Sequence, residues 1–334
     1  MSRPTSIEIC AGAGGQALGL EAAGFDHLAL VEVDAWACET LRHNRPEWNV
    51  IGPDPKVRRE AEGEPGDVRV FDARGYRGEV DLLAGGVPCP PFSMAGKQLG
   101  SDDARDLFPE ALRLVDECRP RLVMLENVRG LLSPKFDTYR AGIARKLKRL
   151  GYTAEWKLLQ ASDFRVPQLR PRAILVAVQH ELASGFAWPE PSEALPPTVG
   201  AALEGLMAEG GWNGASEWAA LADRIAPTLV GGSKKHGGPD LGPTRAKKAW
   251  AELGVDGMGL ANEPPEPGFQ GNPKLTVEMA AIIQGFPRDW RIQGPKTHAY
   301  RQVGNAFPPP VAAAVGASLA TALSGRIVPA PLAA

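Results

Sequence analysis

The sequence has no apolar run approaching the ~20 residues that a helical membrane span needs. Residues Met1–Ser6 lack the basic-then-apolar pattern of a secretory leader. A cytoplasmic protein without membrane contact is therefore expected. Cysteine is scarce: the four, at positions 10, 38, 89 and 118, form neither close metal-ligand pairs nor a dense disulfide framework. The five histidines build no H-E-x-x-H or similar signature, so no metal is expected. An excess of positive charge is also missing, with 37 basic residues against 39 acidic and a net charge of −2. Phosphate binding ordinarily uses a positive surface, so any contact with nucleic acid must come from charge segregated locally. What remains is 334 residues, 44% hydrophobic and 23% charged, enough for one large α/β domain with a smaller one appended.

Apolar stretches alternate with helical patterns over the first half of the chain. Ser6–Cys10 reads as a strand, Ala11–Gly15 as a glycine turn, and the Leu18, Leu20, Ala22, Ala23 spacing as a helix. Leu28–Val33 reads as a second strand and Ala35–Asn44 as a helix, followed by a charged, Pro- and Gly-rich loop over Pro53–Gly66. Further strands are expected at Val68–Phe71, Asp81–Ala84, Leu122–Leu125 and Ala173–Val178, and helices at Leu107–Cys118 and Thr138–Leu150. This alternation predicts a doubly wound, mainly parallel sheet. From about Trp188 the pattern breaks, and residues 188–272 hold many Pro and Gly and no clean alternation. A smaller domain is expected there, with residues 1–187 plus 273–334 forming the larger one. Helices at Leu275–Gly285 and Pro308–Ser324 would close that larger domain.

Four segments carry chemistry. Gly12-Ala13-Gly14-Gly15-Gln16-Ala17 follows a strand, and Glu32 ends the next one. Glycines let a backbone approach a cofactor, and a carboxylate at that strand end can accept both ribose hydroxyls. That combination suits adenosylmethionine, NAD or FAD equally. Gly85-Gly86-Val87-Pro88-Cys89-Pro90-Pro91-Phe92-Ser93 places a cysteine between prolines just after a strand, where open α/β sheets put their sites. Prolines fix φ and so the thiol's direction, which points to a nucleophile at Cys89. The other cysteines read as small buried hydrophobes. Cys89-Pro90-Pro91-Phe92 could also be a variant of the loop by which amino-group methyltransferases hold an NH2, but cysteine is a poor acceptor. Glu126-Asn127-Val128 follows the Leu122–Leu125 strand, and burial there would raise the carboxyl's pKa toward that of a neutral-pH proton donor. Arg170 and Arg172, at i and i+2, would extend from one side of a strand toward a base or phosphate, or else form a solvated edge.

Taken in order, these segments resemble the C5-cytosine DNA methyltransferase family. The resemblance rests on Ala11–Gly15, Glu32, Asp67-Val68, Pro88-Cys89 with Phe92-Ser93, Glu126-Asn127-Val128 and Gln168-x-Arg170-x-Arg172. It continues through Leu275-Thr276, Gln284–Pro287 and Gln302-Val303-Gly304-Asn305-Ala306. Gly96 through Arg105 also resembles the family's mobile loop. The chain departs from the usual pattern in having Glu8-Ile9-Cys10 for Asp-Leu-Phe, Val33 for a common Trp, and Pro90 for a common Gln. Glu278, Met279 and Ile282 likewise replace the usual Arg, Glu and Arg.

The resemblance implies a Rossmann-like, S-adenosylmethionine-dependent methyltransferase fold with a target-recognition domain at 188–272. It implies Cys89 as the nucleophile that adds to carbon 6 of cytosine, Glu126 as the donor to N3, and Arg170 and Arg172 as holders of the base. The cofactor would lie along Ala11, Gly12, Gly14 and Gly15, with Glu32 on the ribose, Asp67 and Val68 at the adenine, and Pro88, Asn305 and Ala306 beside it. S-adenosylhomocysteine would be the product. Double-stranded DNA would be the partner, flipped out at the target and met by Ser93, Gln98, Arg105, Lys234, Lys235 and Arg245. The Lys234–Lys248 segment is locally basic, with Asp240 its only acid. A monomer is expected, possible partner to a separately acting restriction endonuclease. Three rival readings are a tRNA cytosine methyltransferase on the same fold, a flavin or nicotinamide oxidoreductase on the same glycine turn, and a non-catalytic DNA-binding relative, against which intact Cys89, Glu126 and Arg172 argue.

Overall fold

The structure, a computed structural model, describes residues 3–57, 63–88, 106–231 and 239–325. Among these residues one sheet contains β1 (Thr5–Ile9), β2 (Asp26–Val31), β3 (Val50–Ile51), β4 (Leu82–Gly85), β5 (Leu122–Val128), β6 (Tyr152–Gln160) and β7 (Pro171–Gln179). Its order is β3-β2-β1-β4-β5-β7-β6. All neighbours are parallel except β7, which runs antiparallel to both β5 and β6. The chain moves outward one way from β1 through β2 to β3, and the other way from β4 to β5. A crevice therefore opens at the carboxyl ends of β1 and β4, where such sheets take their ligands.

The central strands are apolar along their length because helices cover both faces. Four positions in a row are buried in each of β1 and β4, and six in β5. In sequence order the helices are α1 (Gly15–Ala22), α2 (Ala35–Asn44), α3 (Phe108–Cys118), α4 (Asp137–Arg149), α5 (Val199–Ala208), α6 (Ala215–Leu221), α7 (Thr244–Ala251), α8 (Val277–Gln284), α9 (Lys296–Asn305) and α10 (Pro309–Leu323). Lys296–Leu323 is long and apolar enough, by composition, to cross a membrane. Its α10 part is instead a core helix, with Val311, Ala312, Val315 and Leu319 buried in one cluster with Leu20 and Phe25. The close approach requires Gly19, since a Cβ there would lie 2.4 Å from the Pro309 carbonyl oxygen.

Several expectations are corrected. Val68–Phe71 is not a strand: the Val70 and Phe71 amides both donate back to the Asp67 carbonyl, which turns the chain. The outer strand on that side is the short β3. The elements not anticipated are β3, β6, α9 and the three helices α5, α6 and α7. The exposed edge strand β6 carries Glu155 and Lys157, which blur a period-2 pattern, and α9 is divided between faces, with Tyr300 and Val303 in the core and polar side chains lining a cavity. Cys38 and Cys118 are fully buried as expected, but Cys10 is not. It sits at φ +52° at the exit of β1 and lines the crevice.

Within residues 188–272 lie α5, α6 and α7. Their buried side chains Val199, Leu203, Trp218 and Trp250 belong to one continuous apolar cluster with Ala13, Ala17, Leu30 and Leu41 of the sheet domain.

Candidate active site

The glycine turn after β1 is built from two left-handed residues, Gly12 at φ +55° and Gly14 at φ +83°. Gly15, which opens α1, has no room for a side chain: a Cβ would fall 2.2 Å from the Phe307 carbonyl oxygen. The turn thus lies directly against the chain that follows α9. Glu32, just past β2, is buried and stitches the turn to the next helix. Its carboxylate accepts from the amides of Gly12 at 2.7 Å and Asp34 at 2.8 Å. Asp34 in turn caps α2, accepting from the amides of Trp36 and Ala37. Burial pushes the Glu32 carboxyl above its usual range, against the pull of those amides.

One cavity lies over this turn. Its walls include Ala11, Gly12, Gly15 and Glu32 from the β1 and β2 side, and Arg301, Gln302, Asn305 and Ala306 from α9 and its end. Five buried polar atoms on it have no hydrogen-bond partner among the described residues: Glu8 Oε2, both side-chain polar atoms of Gln16, His298 Nδ1 and Arg301 Nε. Orphaned buried polar groups are costly and rare in native proteins, so the cavity suits a ligand rich in hydroxyl, amine and carboxylate groups.

A second cavity adjoins the first, and Gly86, Glu126 and Asn305 line both. Pro88, Asn127, Lys135 and Arg172 complete its polar and loop-bearing walls. Glu126, third from the end of β5, is paired with Arg172 near the start of β7; the Nε to Oε1 distance is 2.6 Å. The antiparallel register sets Val128 opposite Arg172 and Glu126 opposite Ile174, which brings the two side chains together. The contact is an ion pair without an aligned N–H bond. Burial raises the Glu126 carboxyl, while Arg172 and Arg170 pull it down. Asn127 donates to the Val87 carbonyl at 2.8 Å and so fixes the segment that enters Pro88.

Arg170 parts from the expectation. It is fully buried, and its guanidinium donates to the carbonyls of Leu229 (2.7 Å), Gly304 (2.7 Å) and Ala306 (3.1 Å). With both terminal nitrogens donating to backbone carbonyls, it is a positioning residue rather than one that reaches a base. Gln168 and Gln284 share this task, and sequence reasoning gave them no role. Gln168 accepts from the Leu229 amide and donates to Gln284, which donates to the Ala306 carbonyl. Three buried polar side chains in short polar motifs were the available signal.

Asp67 and Val68 do not line the first cavity. Asp67 is buried and paired with Arg69 at 2.8 Å. Gly14 stands behind the cavity wall, packed against Leu41 and Trp290. Trp36 covers Gly294 instead of facing the cavity. Arg245 is exposed on α7, whose Lys247 is paired with Asp240 at 2.6 Å. Cys89, Ser93, Gln98, Arg105, Lys234 and Lys235 lie outside the described residues.

The family model of the C-5 cytosine-specific DNA methylases matches residues 5–321 of the chain. The chain belongs to that family. The Type II methyltransferase M.NaeI of Lentzea aerocolonigenes is 59% identical to the methylase over 95% of this chain and 75% of the relative. M.NgoMIV of Neisseria gonorrhoeae, also a Type II methyltransferase, is 54% identical over 96% and 98%. Among solved structures, the Entamoeba histolytica methyltransferase EhMeth superposes with a TM-score of 0.63 at 14% identity, covering 96% of this chain and 98% of that one. DNMT2 of Spodoptera frugiperda gives 0.61 at 17%, over 95% and 99%. These two likenesses establish the methyltransferase-type Rossmann-like fold. The methylase is thus an enzyme that acts at carbon 5 of cytosine in DNA, in a family that uses S-adenosylmethionine.

Proposed function

We propose that the first cavity holds S-adenosylmethionine, that the second receives a cytosine flipped out of double-stranded DNA, and that the reaction runs where they meet. The observation that carries this reading is the sharing of Gly86, Glu126 and Asn305 by both cavities. A methyl donor and an acceptor ring must face each other across a common boundary, and among the described residues the only carboxyl on that boundary is Glu126. When bound, S-adenosylmethionine supplies an electrophilic methyl group.

The chain's own residues do the rest. Carbon 5 of cytosine is too weak a nucleophile until a thiolate adds to carbon 6, and Cys89, next after Pro88 on the second cavity's rim, is placed by sequence to supply it. Glu126, whose carboxyl burial shifts upward against the pull of Arg172, donates to N3 as the ring accepts electrons, so that negative charge does not build up. Arg172 keeps that carboxyl oriented and lends the pocket positive charge. Glu32 takes the ribose hydroxyls. Asn305 and Ala306, held by Arg170 and Gln284, border the transferring end. After transfer the carbon 5 proton leaves to base or water, the Cys89–carbon 6 bond breaks, and the thiolate departs.

Residues 188–272 form the target-recognition region on this reading, with Arg245 and the Lys234-Lys235 pair on DNA phosphates. Unwinding one nucleotide from the stack costs a few kcal/mol, which those contacts offset. The chain's likeness to M.NaeI and M.NgoMIV supports a Type II modification role, in which methylation protects DNA from a separate endonuclease. Plasmid DNA treated with the protein and S-adenosylmethionine, then sequenced after bisulfite conversion, tests the reading. Protected cytosines in one short repeated motif are expected; uniform conversion contradicts it.

A further inference from the structure

Among the described residues the first cavity is lined by four acidic side chains and one permanent cation. The acids are Glu8, Glu32, Asp34 and Glu126, and the cation is Arg301. Three of the acids have partners: Glu32 and Asp34 accept from backbone amides, and Glu126 faces Arg172. Arg301 has none of them. Its Nε is buried without a hydrogen-bond partner, and its guanidinium forms no ion pair among the described residues.

Its placement is fixed by the helix. His298, Arg301, Gln302 and Asn305 stand at i, i+3, i+4 and i+7 of α9, one face of that helix, and all four line the cavity. Gln302 anchors the face, accepting from Thr40 Oγ1 at 2.7 Å and donating to the Gln293 carbonyl at 2.8 Å. The Arg301 backbone is pressed against Gly231, where a Cβ would fall 2.9 Å from the Arg301 carbonyl oxygen. The guanidinium therefore starts from a rigid base and enters an acidic cavity with unspent donors.

We propose that Arg301 binds the α-carboxylate of S-adenosylmethionine. The inference rests on the reading that this cavity holds that molecule. The ligand's ammonium and sulfonium suit a wall of carboxylates, one of which, Glu8, has a free oxygen. Its carboxylate does not, and among four acids it needs a cation whose charge is not already neutralised. Arg301 is that cation. Its role is binding, remote from the reacting atoms.

Calorimetric titration of the full-length protein with two probes tests this. One is S-adenosylhomocysteine; the other is S-adenosyl-3-thiopropylamine, which keeps the adenosine, sulfur and amine but lacks the carboxylate. Arg301→Met is expected to weaken S-adenosylhomocysteine by about 10- to 100-fold, as for a lost charge-assisted hydrogen bond. It should leave the amine within about twofold, a result that also certifies the fold. Arg301→Lys should restore part of the loss. Equal losses for both probes, or no loss for either, would overturn the assignment. If the parent protein binds S-adenosylhomocysteine not at all, the reading of the cavity fails and this inference fails with it.

Discussion

Glu126 and Arg172 face each other at 2.6 Å on the border between the two cavities, each with about a tenth of its side chain exposed. Burial alone would leave the carboxyl neutral over a wide pH range, and the guanidinium alone would keep it ionised. Their balance sets the group that is to hand a proton to the ring. Replacing Arg172 with Met removes the counter-charge, so the Glu126 pKa rises further. Because the account needs Glu126 protonated, the descending limb of the pH–rate profile should then move to higher pH. Stability should fall by about 3–5 kcal/mol, the usual cost of orphaning one member of a buried pair. The Arg172→Met, Glu126→Gln double variant should lose less than the sum of the singles by denaturant unfolding. Additive losses would mean that the two side chains do not interact.

Arg170 offers a sharper structural test. Three carbonyls from two separate segments converge on one buried guanidinium. Lysine carries the charge but cannot span them, so Arg170→Lys should be nearly as damaging as Arg170→Met, each by about 2–5 kcal/mol. Binding of S-adenosylhomocysteine should weaken in parallel, since Ala306 loses its anchor. A lysine variant with parent-like melting and binding would refute the clamp.

Gly15 tests how closely the glycine turn meets the chain beyond α9. A Cβ at 2.2 Å from the Phe307 carbonyl cannot be accommodated without backbone movement. Gly15→Ala should lower stability by about 1–3 kcal/mol and weaken S-adenosylhomocysteine binding measured by calorimetry. Retention of both would show that this contact is looser than described.

Glu8 is buried, lacks a partner for Oε2, and faces Glu32; burial and that neighbouring charge push its carboxyl well above the ordinary range. The folded protein therefore holds a proton that the unfolded chain releases near the ordinary glutamate value. Stability conferred by that proton is present at low pH and is lost as pH rises toward the folded-state pKa. Glu8→Gln removes this dependence. Its melting temperature, compared with that of the parent at pH 5 and pH 8, should gain more at pH 8; an equal difference at both would deny the raised pKa.

The strands β1, β2, β4 and β5 were legible because central parallel strands are short, apolar and bounded by Gly or acidic residues. The match at α2, Ala35–Asn44, follows from the Asp34 cap that a sequence displays openly. Val68–Phe71 misled because two valines and a phenylalanine have strand propensity, yet Asp67 turns the chain with its backbone carbonyl and holds Gly63 and Arg69 with its side chain. Motif and cavity lining coincide at Gly12, Glu32, Glu126 and Arg172. A role was not legible where it depends on partners distant in sequence. Arg170, Gln168 and Gln284 acquire theirs only when residues 229, 304 and 306 converge, and the four-residue face of α9 appears only once that polar segment is seen to be helical.

The proposed reaction turns on covalent attack by Cys89 on a cytosine seated beside Glu126. Duplex DNA in which 5-fluorocytosine replaces cytosine tests it most directly, because fluorine at carbon 5 cannot leave as a proton and the adduct persists. Incubated with S-adenosylmethionine, the protein should form a denaturant-resistant complex whose DNA-bearing peptide contains Cys89, and Cys89→Ala should form none. Absence of the complex from the parent protein, or attachment at a different residue, would contradict the account.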